Sequence, residues 1–317
     1  FPYTTLFRSR RKVYKRRKIN RNKYKFLIRR VFAFILLVTF FMGLKYIFSS
    51  KKEFISSESI NNYIEYVDSF SGWRKQLNWK EVAAIDGIKN IDFNNINKKK
   101  IEEICKWFYD ENNNIKDFEK VIEGQSFTDK ERKKAEKNLK KLSEVSLRNI
   151  RGDSDKEKDK LIENMKKISI DNYKKSGVLP SVTISQAILE SNWGKSELSA
   201  KYNNYFGIKA SVGWNGKIAT FSTKENYNDT IKANFRAYDS LEESVNDFGN
   251  FLNVNGRYRK HGLFDGKNYI EQAQALEDAG YSTKKNSKGE AIYADLLIEL
   301  IKDNNLMIID NEAVKNE

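Results

Sequence analysis

Glu190 is the residue of this sequence best placed for proton transfer. It lies in the last turn of a predicted helix that begins at Pro180 and stops at Gly194. The partial negative charge at a helix C-terminus disfavours a carboxylate by about 0.3–1 kcal/mol. Trp193, three residues further on, would face the same side of that helix. Both effects raise the pKa of a carboxyl group, as a general acid requires, although position alone favours an ordinary surface glutamate.

Five motifs follow one another along the chain, and the first of them contains Glu190. They are LPSVTISQ-x-ILESNWGKS (179–196), NNYFGIK (203–209), TKE with FRAY (223–225 and 235–238), ESVNDF (243–248) and AGYST (279–283). Together they resemble the motifs of glycoside hydrolase family 73, the bacterial β-N-acetylglucosaminidases of the flagellar and autolysin type. The resemblance covers about residues 155–305.

That resemblance implies an endo-β-N-acetylglucosaminidase that cleaves the β-1,4 bond after N-acetylglucosamine in peptidoglycan. Glu190 matches the general acid of the family, and Glu225 matches a second carboxylate carried by a hairpin. Glu225 would activate water or stabilise positive charge on the sugar, and Glu197 is a weaker competitor for this role. Tyr281 matches a tyrosine near the scissile bond, where it would orient the acetamido group of the substrate.

Further side chains are candidates for substrate binding. They are Trp193, Asn203, Phe206, Trp214 and Tyr238. The aromatic rings could stack on sugar faces, and a role in the core is the alternative for each of them. Asn203 is expected to hydrogen-bond either the substrate or a loop backbone.

Three other functions remain open. A muramidase or lytic transglycosylase would use the same fold, and a non-catalytic envelope scaffold would only bind glycan. A cysteine peptidase would need Cys105 near a histidine, but Cys105 lies on an apolar helical face. One cysteine and one histidine, His261, provide no zinc ligand set, and we expect neither a metal nor another cofactor.

The charge of the chain is concentrated at its N-terminus. The net charge is +15, yet residues 1–30 hold 13 Lys or Arg and no acid, so the remainder is close to neutral and no nucleic-acid partner is expected. An uncharged apolar run follows at residues 31–44. We predict a basic cytoplasmic tail (1–25) and a transmembrane helix (26–48), with everything after about residue 50 outside the cell. A cleaved signal peptide is the alternative, although no small-x-small site follows the run.

The predicted fold class is α+β, a lysozyme-like helical domain with a small β-hairpin lobe. We expect a small helical stem (52–122), a charged linker or helix (123–154) and a glucosaminidase domain (155–310). Asn215-Gly216 is predicted to be a hairpin turn, and Asn228-Asp229 is a second turn candidate. Ser240 is predicted to begin a helix with a capping box. Residues 1–9 resemble a translated sequencing adaptor. The expected setting is the membrane of a Gram-positive-type bacterium, with envelope-complex proteins as possible partners in division, sporulation or conjugation.

Overall fold

The computed structural model describes residues 34–40, 54–90, 92–225 and 229–315, with the backbone alone at 222–225 and 229–231. The chain divides into two units, Phe1–Glu53 and Phe54–Glu317. In the first unit, residues 34–40 form a helix, α1. No helix among the described residues combines the length and apolar character needed to span a bilayer. Most of the predicted membrane helix (26–48) lies outside the described residues, so it stays a prediction.

The second unit begins with helices that precede the matched motifs. These are α2 (Ser57–Ser71), α3 (Trp79–Asp86), α4 (Lys98–Trp107), α5 (Phe118–Gly124), α6 (Asp129–Ser143) and α7 (Leu147–Ile150). The part that carries the motifs contains α8 (Lys156–Ser176), α9 (Pro180–Ser191), α10 (Glu197–Tyr202), β1 (Lys217–Glu225), β2 (Asp229–Ala237), α11 (Leu241–Val254), α12 (Gly256–Lys260), α13 (Tyr269–Asp278), α14 (Tyr293–Asp303) and α15 (Met307–Lys315). This mostly helical α+β architecture confirms the predicted fold class at that level.

Local sequence signals account for several helix ends. Gly177 ends α8 with a φ of 76°, a left-handed conformation that glycine adopts without strain, as predicted. Pro180 occupies the first turn of α9, where its missing N–H leaves no helical hydrogen bond unmade. Ser240 caps α11 by accepting a hydrogen bond from the backbone N–H of Glu243. The Glu243 carboxylate accepts instead from Asp239 N, so only half of the predicted capping box forms as expected.

The two strands form one antiparallel hairpin. Its register runs from Lys217 opposite Ala237 to Glu225 opposite Asp229. The predicted turn at Asn215-Gly216 is therefore wrong as the hairpin connection, because these residues precede β1. The tight bend there folds Trp214 back, so that its indole N–H donates a 3.0 Å hydrogen bond to the Lys217 carbonyl.

One hydrophobic core runs through the second unit, from Ile55 to Ile309. The Trp79 indole donates a 3.1 Å hydrogen bond to Asn305. The Asn311 amide donates a 2.8 Å hydrogen bond to the Gln76 carbonyl. The segments predicted as stem, linker and glucosaminidase domain are therefore not separate in space. The segment predicted as a charged linker or helix (123–154) contains the helix α6, which buries Ala135 and Leu142 on its apolar face.

Candidate active site

Helix α9 is a buried scaffold for Glu190, and its N-terminus is held by Asp310 of α15. The backbone N–H of Ser181 donates a 2.8 Å hydrogen bond to one carboxylate oxygen of Asp310, and the Ser181 hydroxyl donates a 2.5 Å bond to the other. Both residues are fully buried. Burial raises the pKa of Asp310 to about 7. This contact fixes one end of the helix that presents Glu190 at the other.

The chain leaves α9 directly after Glu190. Ser191 donates to the Ala187 carbonyl at 2.6 Å and accepts from the Gly194 N–H at 2.7 Å, so its hydroxyl ties the turn to the helix. Asn192, Trp193 and Gly194 all have positive φ angles, of 50°, 60° and 74°. A left-handed turn of three residues is uncommon, and the buried serine contacts maintain it.

The position of Trp193 differs from the prediction. The expectation that it shares a face with Glu190 assumed helical spacing, but α9 ends at Ser191. Its ring lies 5.7 Å from the Arg148 guanidinium carbon and 5.0 Å from the Lys158 ammonium nitrogen. These are cation–π contacts with the segments before α9, and they anchor the turn after Glu190. A sugar contact by the half-buried Trp193 ring stays a prediction.

The Glu190 carboxyl group is held by a directed hydrogen-bond chain. Gln186 Nε2 donates to the Tyr293 hydroxyl at 3.0 Å, and that hydroxyl donates to Glu190 Oε1 at 2.8 Å. Because the hydroxyl oxygen accepts from Gln186, its single proton points to Glu190. Glu190 remains exposed on one side. Desolvation by the protein on the other side raises the pKa of Glu190, while the Tyr293 bond and the charge of Lys284 lower it in part.

Tyr281 lies beside this chain. Its ring stacks on Tyr293 with centroids 5.4 Å apart and an interplanar angle of 19°. Burial raises the pKa of the Tyr281 phenol well above its ordinary value, and the negative charge of Glu190 adds to the effect. The structure therefore brings Tyr281 and Glu190 together, as the motifs predict. A neutral phenol at this place can act as a hydrogen-bond donor.

The second predicted carboxylate belongs to the hairpin. Glu225 is the last residue of β1 and pairs through its backbone with Asp229. The side chain of Glu225 lies outside the described residues, so its part in catalysis stays a prediction. Its competitor Glu197 lies exposed in the first turn of α10, where it forms a 2.8 Å ion pair with Lys201. That pairing is typical of a solvated helix surface.

Two predicted sugar-stacking rings lie in the core. Phe206 is only 3% exposed and stacks on Phe248 with centroids 3.9 Å apart and an interplanar angle of 4°. Tyr238 is 7% exposed, and its hydroxyl donates a 2.6 Å hydrogen bond to Asp247. The structure corrects the assignment of both rings to substrate, because each already packs its faces against protein.

Trp214 and Asn203 both contact Tyr238. The half-buried Trp214 ring meets Tyr238 edge-on at 6.0 Å and lies 4.5 Å from the Arg236 guanidinium carbon. A sugar contact by Trp214 stays a prediction. Asn203 has a φ of 50° and donates a 3.1 Å hydrogen bond to the Tyr238 carbonyl. Of the two roles expected for Asn203, the structure shows the contact with a loop backbone.

Comparison with known proteins identifies the part of the chain that carries this site. Residues 166–306 match the Glucosaminidase family model, described as mannosyl-glycoprotein endo-beta-N-acetylglucosaminidase. These residues form a domain of the glucosaminidase family. Glu190, Tyr281 and Tyr293 all lie within it.

Relatives of this glucosaminidase domain occur in larger proteins. Exo-glucosaminidase LytG of Bacillus subtilis is 37% identical over 134 residues, 41% of this chain and 45% of LytG. Peptidoglycan hydrolase FlgJ of Escherichia coli (strain K12) is 36% identical over 117 residues, 35% of this chain and 37% of FlgJ. The chain spans less than half the length of these curated relatives. The crystal structure of the catalytic domain of the autolysin Auto from Listeria monocytogenes is 29% identical, with a TM-score of 0.43 over 58% of this chain and 99% of that one.

Several residues that support the glucosaminidase site were missed from the sequence. Tyr293 and Asp310 contact α9 from more than 100 positions away, and no local pattern signals such contacts. Asn204 is 1% exposed; its amide donates to the carbonyls of Ile208 and Arg236 and accepts from the N–H of Ile208. A second asparagine in the NNYFGIK motif was the available signal for this link between the α10 loop and β2.

Other chemistries find little support in the described part of the chain. Burial raises the pKa of the Cys105 thiol to about 12, and the side chain is fully enclosed. A thiol in such a place is inert as a nucleophile. Across the described ranges, no three His, Cys, Asp or Glu side chains come together as metal ligands.

Proposed function

We propose that this protein is a membrane-anchored peptidoglycan hydrolase that cleaves the β-1,4 bond after N-acetylglucosamine, with Glu190 as general acid. The observation that carries the proposal is the Glu190 carboxyl group in the glucosaminidase domain, desolvated on one side, open on the other and bonded to Tyr293. A raised pKa keeps a carboxyl group protonated closer to neutral pH, where it can donate a proton to the leaving oxygen of a glycosidic bond.

The hydrogen-bond chain favours one oxygen as the proton donor. Glu190 Oε1 accepts a hydrogen bond from the Tyr293 hydroxyl, so the acidic proton of the Glu190 carboxyl group belongs on Oε2. The substrate's glycosidic oxygen would then approach Oε2. Glu225 would serve as the second carboxylate, either activating water or stabilising the positive charge that develops on the sugar.

The substrate class is supported by the relatives. LytG is named an exo-glucosaminidase and FlgJ a peptidoglycan hydrolase, whereas the family model describes an endo-acting enzyme. We propose endo cleavage for this chain. The apolar run at 31–44 and the basic residues before it support an N-terminal membrane anchor with an extracellular catalytic domain. The proposal includes a lysozyme-like groove across Glu190 that binds the glycan strand. It also includes a role of the protein beside other envelope proteins.

Zymography with the full chain tests the role of Glu190. The wild type is expected to clear a peptidoglycan gel. Glu190→Gln keeps the size and hydrogen bonding of the side chain but removes the acid, so clearing should fall at least a hundredfold, the lower end of what a general acid contributes, roughly 10² to 10⁴. Glu197→Gln is the matched control, since this exposed glutamate lies on the next helix and should leave clearing unchanged.

Equal clearing by Glu190→Gln and the wild type would remove Glu190 from its role, and no clearing by the wild type would favour a scaffold. Mass spectrometry of the released fragments then tests bond specificity. Fragments with reducing-end N-acetylglucosamine and several disaccharides agree with endo cleavage. Only single N-acetylglucosamine residues would show exo cleavage, and reducing or anhydro N-acetylmuramic acid ends would show a muramidase or lytic transglycosylase.

A further inference from the structure

A cavity lies away from Glu190, between the segment that precedes α8 and the C-terminal helices. Its volume is about 490 Å³, within the range of small-molecule sites, about 300–1,000 Å³. Lys80, Ser146 and Arg148 line it from the N-terminal side. Asn304 and Asn305 line it from the loop between α14 and α15. The cavity is therefore shared by the glucosaminidase domain and the helices before it.

Lys80 is a buried cation in the wall of this cavity. The residue is 6% exposed, and its ammonium donates a 2.9 Å hydrogen bond to the Ser143 carbonyl. The ammonium also lies 5.8 Å from the centre of the Trp79 ring. No carboxylate of the described residues forms an ion pair with it. Desolvation lowers the pKa of Lys80 to about 8, which is the expected effect on a buried and unpaired ammonium.

Arg148 is a second buried cation in the same wall, at 7% exposure. One of its nitrogens, Nη2, pairs with the Asp159 carboxylate. Its Nε and Nη1 atoms, and Oδ1 of the neighbouring Asn304, have no hydrogen-bond partner among the described residues. Buried polar groups are rarely left unpaired, because the free energy of their desolvation is then not offset by a hydrogen bond.

The buried and the exposed charges of the cavity differ in sign. Arg148 pairs with Asp159 and Lys166 with Glu312, so Lys80 is the one buried cation of the lining that no carboxylate pairs with among the described residues. Glu144 and Glu163 also line the cavity, but both are exposed. A single excess positive charge matches one carboxylate better than a doubly charged phosphate. Exposed carboxylates nearby favour a ligand that also carries an amine.

We propose that this cavity binds a free amino acid or the end of a short peptide, with its carboxylate on Lys80 and Arg148. The amine of the ligand would face Glu144 and Glu163. The unpaired Nε and Nη1 atoms of Arg148 each provide a charge-assisted donor for a single carboxylate oxygen. Arg148 also contacts the ring of Trp193, so the bound carboxylate would lie one side chain away from the turn after Glu190.

Isothermal titration calorimetry of the full chain tests this site with four probes. Glycylglycine carries both charges, N-acetylglycine only the carboxylate, glycinamide only the amine, and inorganic phosphate is the alternative anion. Glycylglycine is expected to bind most tightly, N-acetylglycine more weakly, and glycinamide and phosphate weakest. Equal affinity for glycinamide and glycylglycine, tighter binding of phosphate, or no binding by any probe would overturn the proposal.

A pair of variants separates binding from folding. Lys80→Met keeps the length of the side chain and removes a buried unpaired charge, so its unfolding midpoint should equal or exceed that of the wild type. Its Kd for glycylglycine should rise roughly tenfold to hundredfold, as loss of a charge-assisted hydrogen bond implies. Lys166→Met is the control, because Lys166 lines the same cavity but already pairs with Glu312. Retained binding in Lys80→Met, or an equal loss in both variants, contradicts the assignment.

Discussion

The contact between Asp310 and the start of α9 leads to a quantitative prediction about pH and stability. Burial raises the pKa of Asp310 from 3.8 to about 7 in the folded protein. Between the unfolded pKa of 3.8 and the folded pKa of about 7, the folded state therefore keeps a proton that the unfolded chain has lost. Because the folded state binds more protons, stability falls as the pH rises through this range. At 1.36 kcal/mol per pKa unit, the shift of about three units corresponds to about 4 kcal/mol, of which about 3 kcal/mol is lost between pH 5 and pH 7.

Asp310→Asn should remove this dependence. An amide in the same place can accept from the Ser181 N–H and donate to the Ser181 hydroxyl, and it never ionises. The variant should exceed the wild type by about 1–2 kcal/mol at pH 5 and by about 4 kcal/mol at pH 8, so the difference between the two proteins should grow by on the order of 3 kcal/mol between these pH values. Asp310→Ala should be less stable than Asp310→Asn at both pH values by about 1–3 kcal/mol, because it leaves buried donors unpaired.

Urea unfolding of the three proteins at pH 5 and pH 8 measures these differences. Burial also raises the pKa of Asp68 to about 6, which makes the stability of all three proteins fall with rising pH in a similar way. The test therefore compares the three proteins with one another at each pH. If Asp310→Asn is no more stable than the wild type at pH 8, the ionised carboxylate must stabilise the N-terminus of α9 after all, and the reasoning from burial fails.

Two further predictions concern catalysis and the membrane. Tyr293→Phe removes the hydrogen bond that lowers the pKa of Glu190, so that pKa should rise and the alkaline limb of the pH–activity profile should move to higher pH. The loss of its bond to Gln186 should cost about 1–3 kcal/mol in unfolding free energy, and an unmoved alkaline limb would contradict the proton-donor assignment. For the anchor, the full chain should stay with membranes during alkaline carbonate extraction, whereas deletion of residues 26–48 should release it. A wild type found wholly in the extract would refute the anchor.

The sequence predicted well what depends on near neighbours along the chain. Gly177 as the end of α8 and Pro180 in the first turn of α9 follow from backbone preferences alone. The raised pKa of Glu190 agrees with the direction expected, although burial is its main cause. The motifs predicted that Glu190 and Tyr281 belong to one site, and the structure places the two side chains close enough for the charge of Glu190 to raise the pKa of Tyr281.

Other features depend on contacts that spacing does not encode. Trp193 was placed by helical geometry, but the helix stops two residues before it. Nothing in the sequence around Phe206 distinguishes a ring buried in the core from a ring that stacks on a sugar. Its stacking partner Phe248 lies 42 positions away. The Tyr293 hydroxyl reaches Glu190 across 103 positions. Such pairings follow from how the helices pack, which periodicity alone does not specify.

The shared core of α2 and α3 with α14 and α15 affects how this enzyme could be trimmed or transplanted. A fragment that begins at residue 155 would lack Trp79 and Gln76, which form hydrogen bonds with the side chains of Asn305 and Asn311. It would also expose the apolar surface that Trp79 covers. Such a fragment would be prone to aggregate. The piece that keeps this shared core intact is residues 54–315, and a fusion to another carrier should be joined ahead of residue 54.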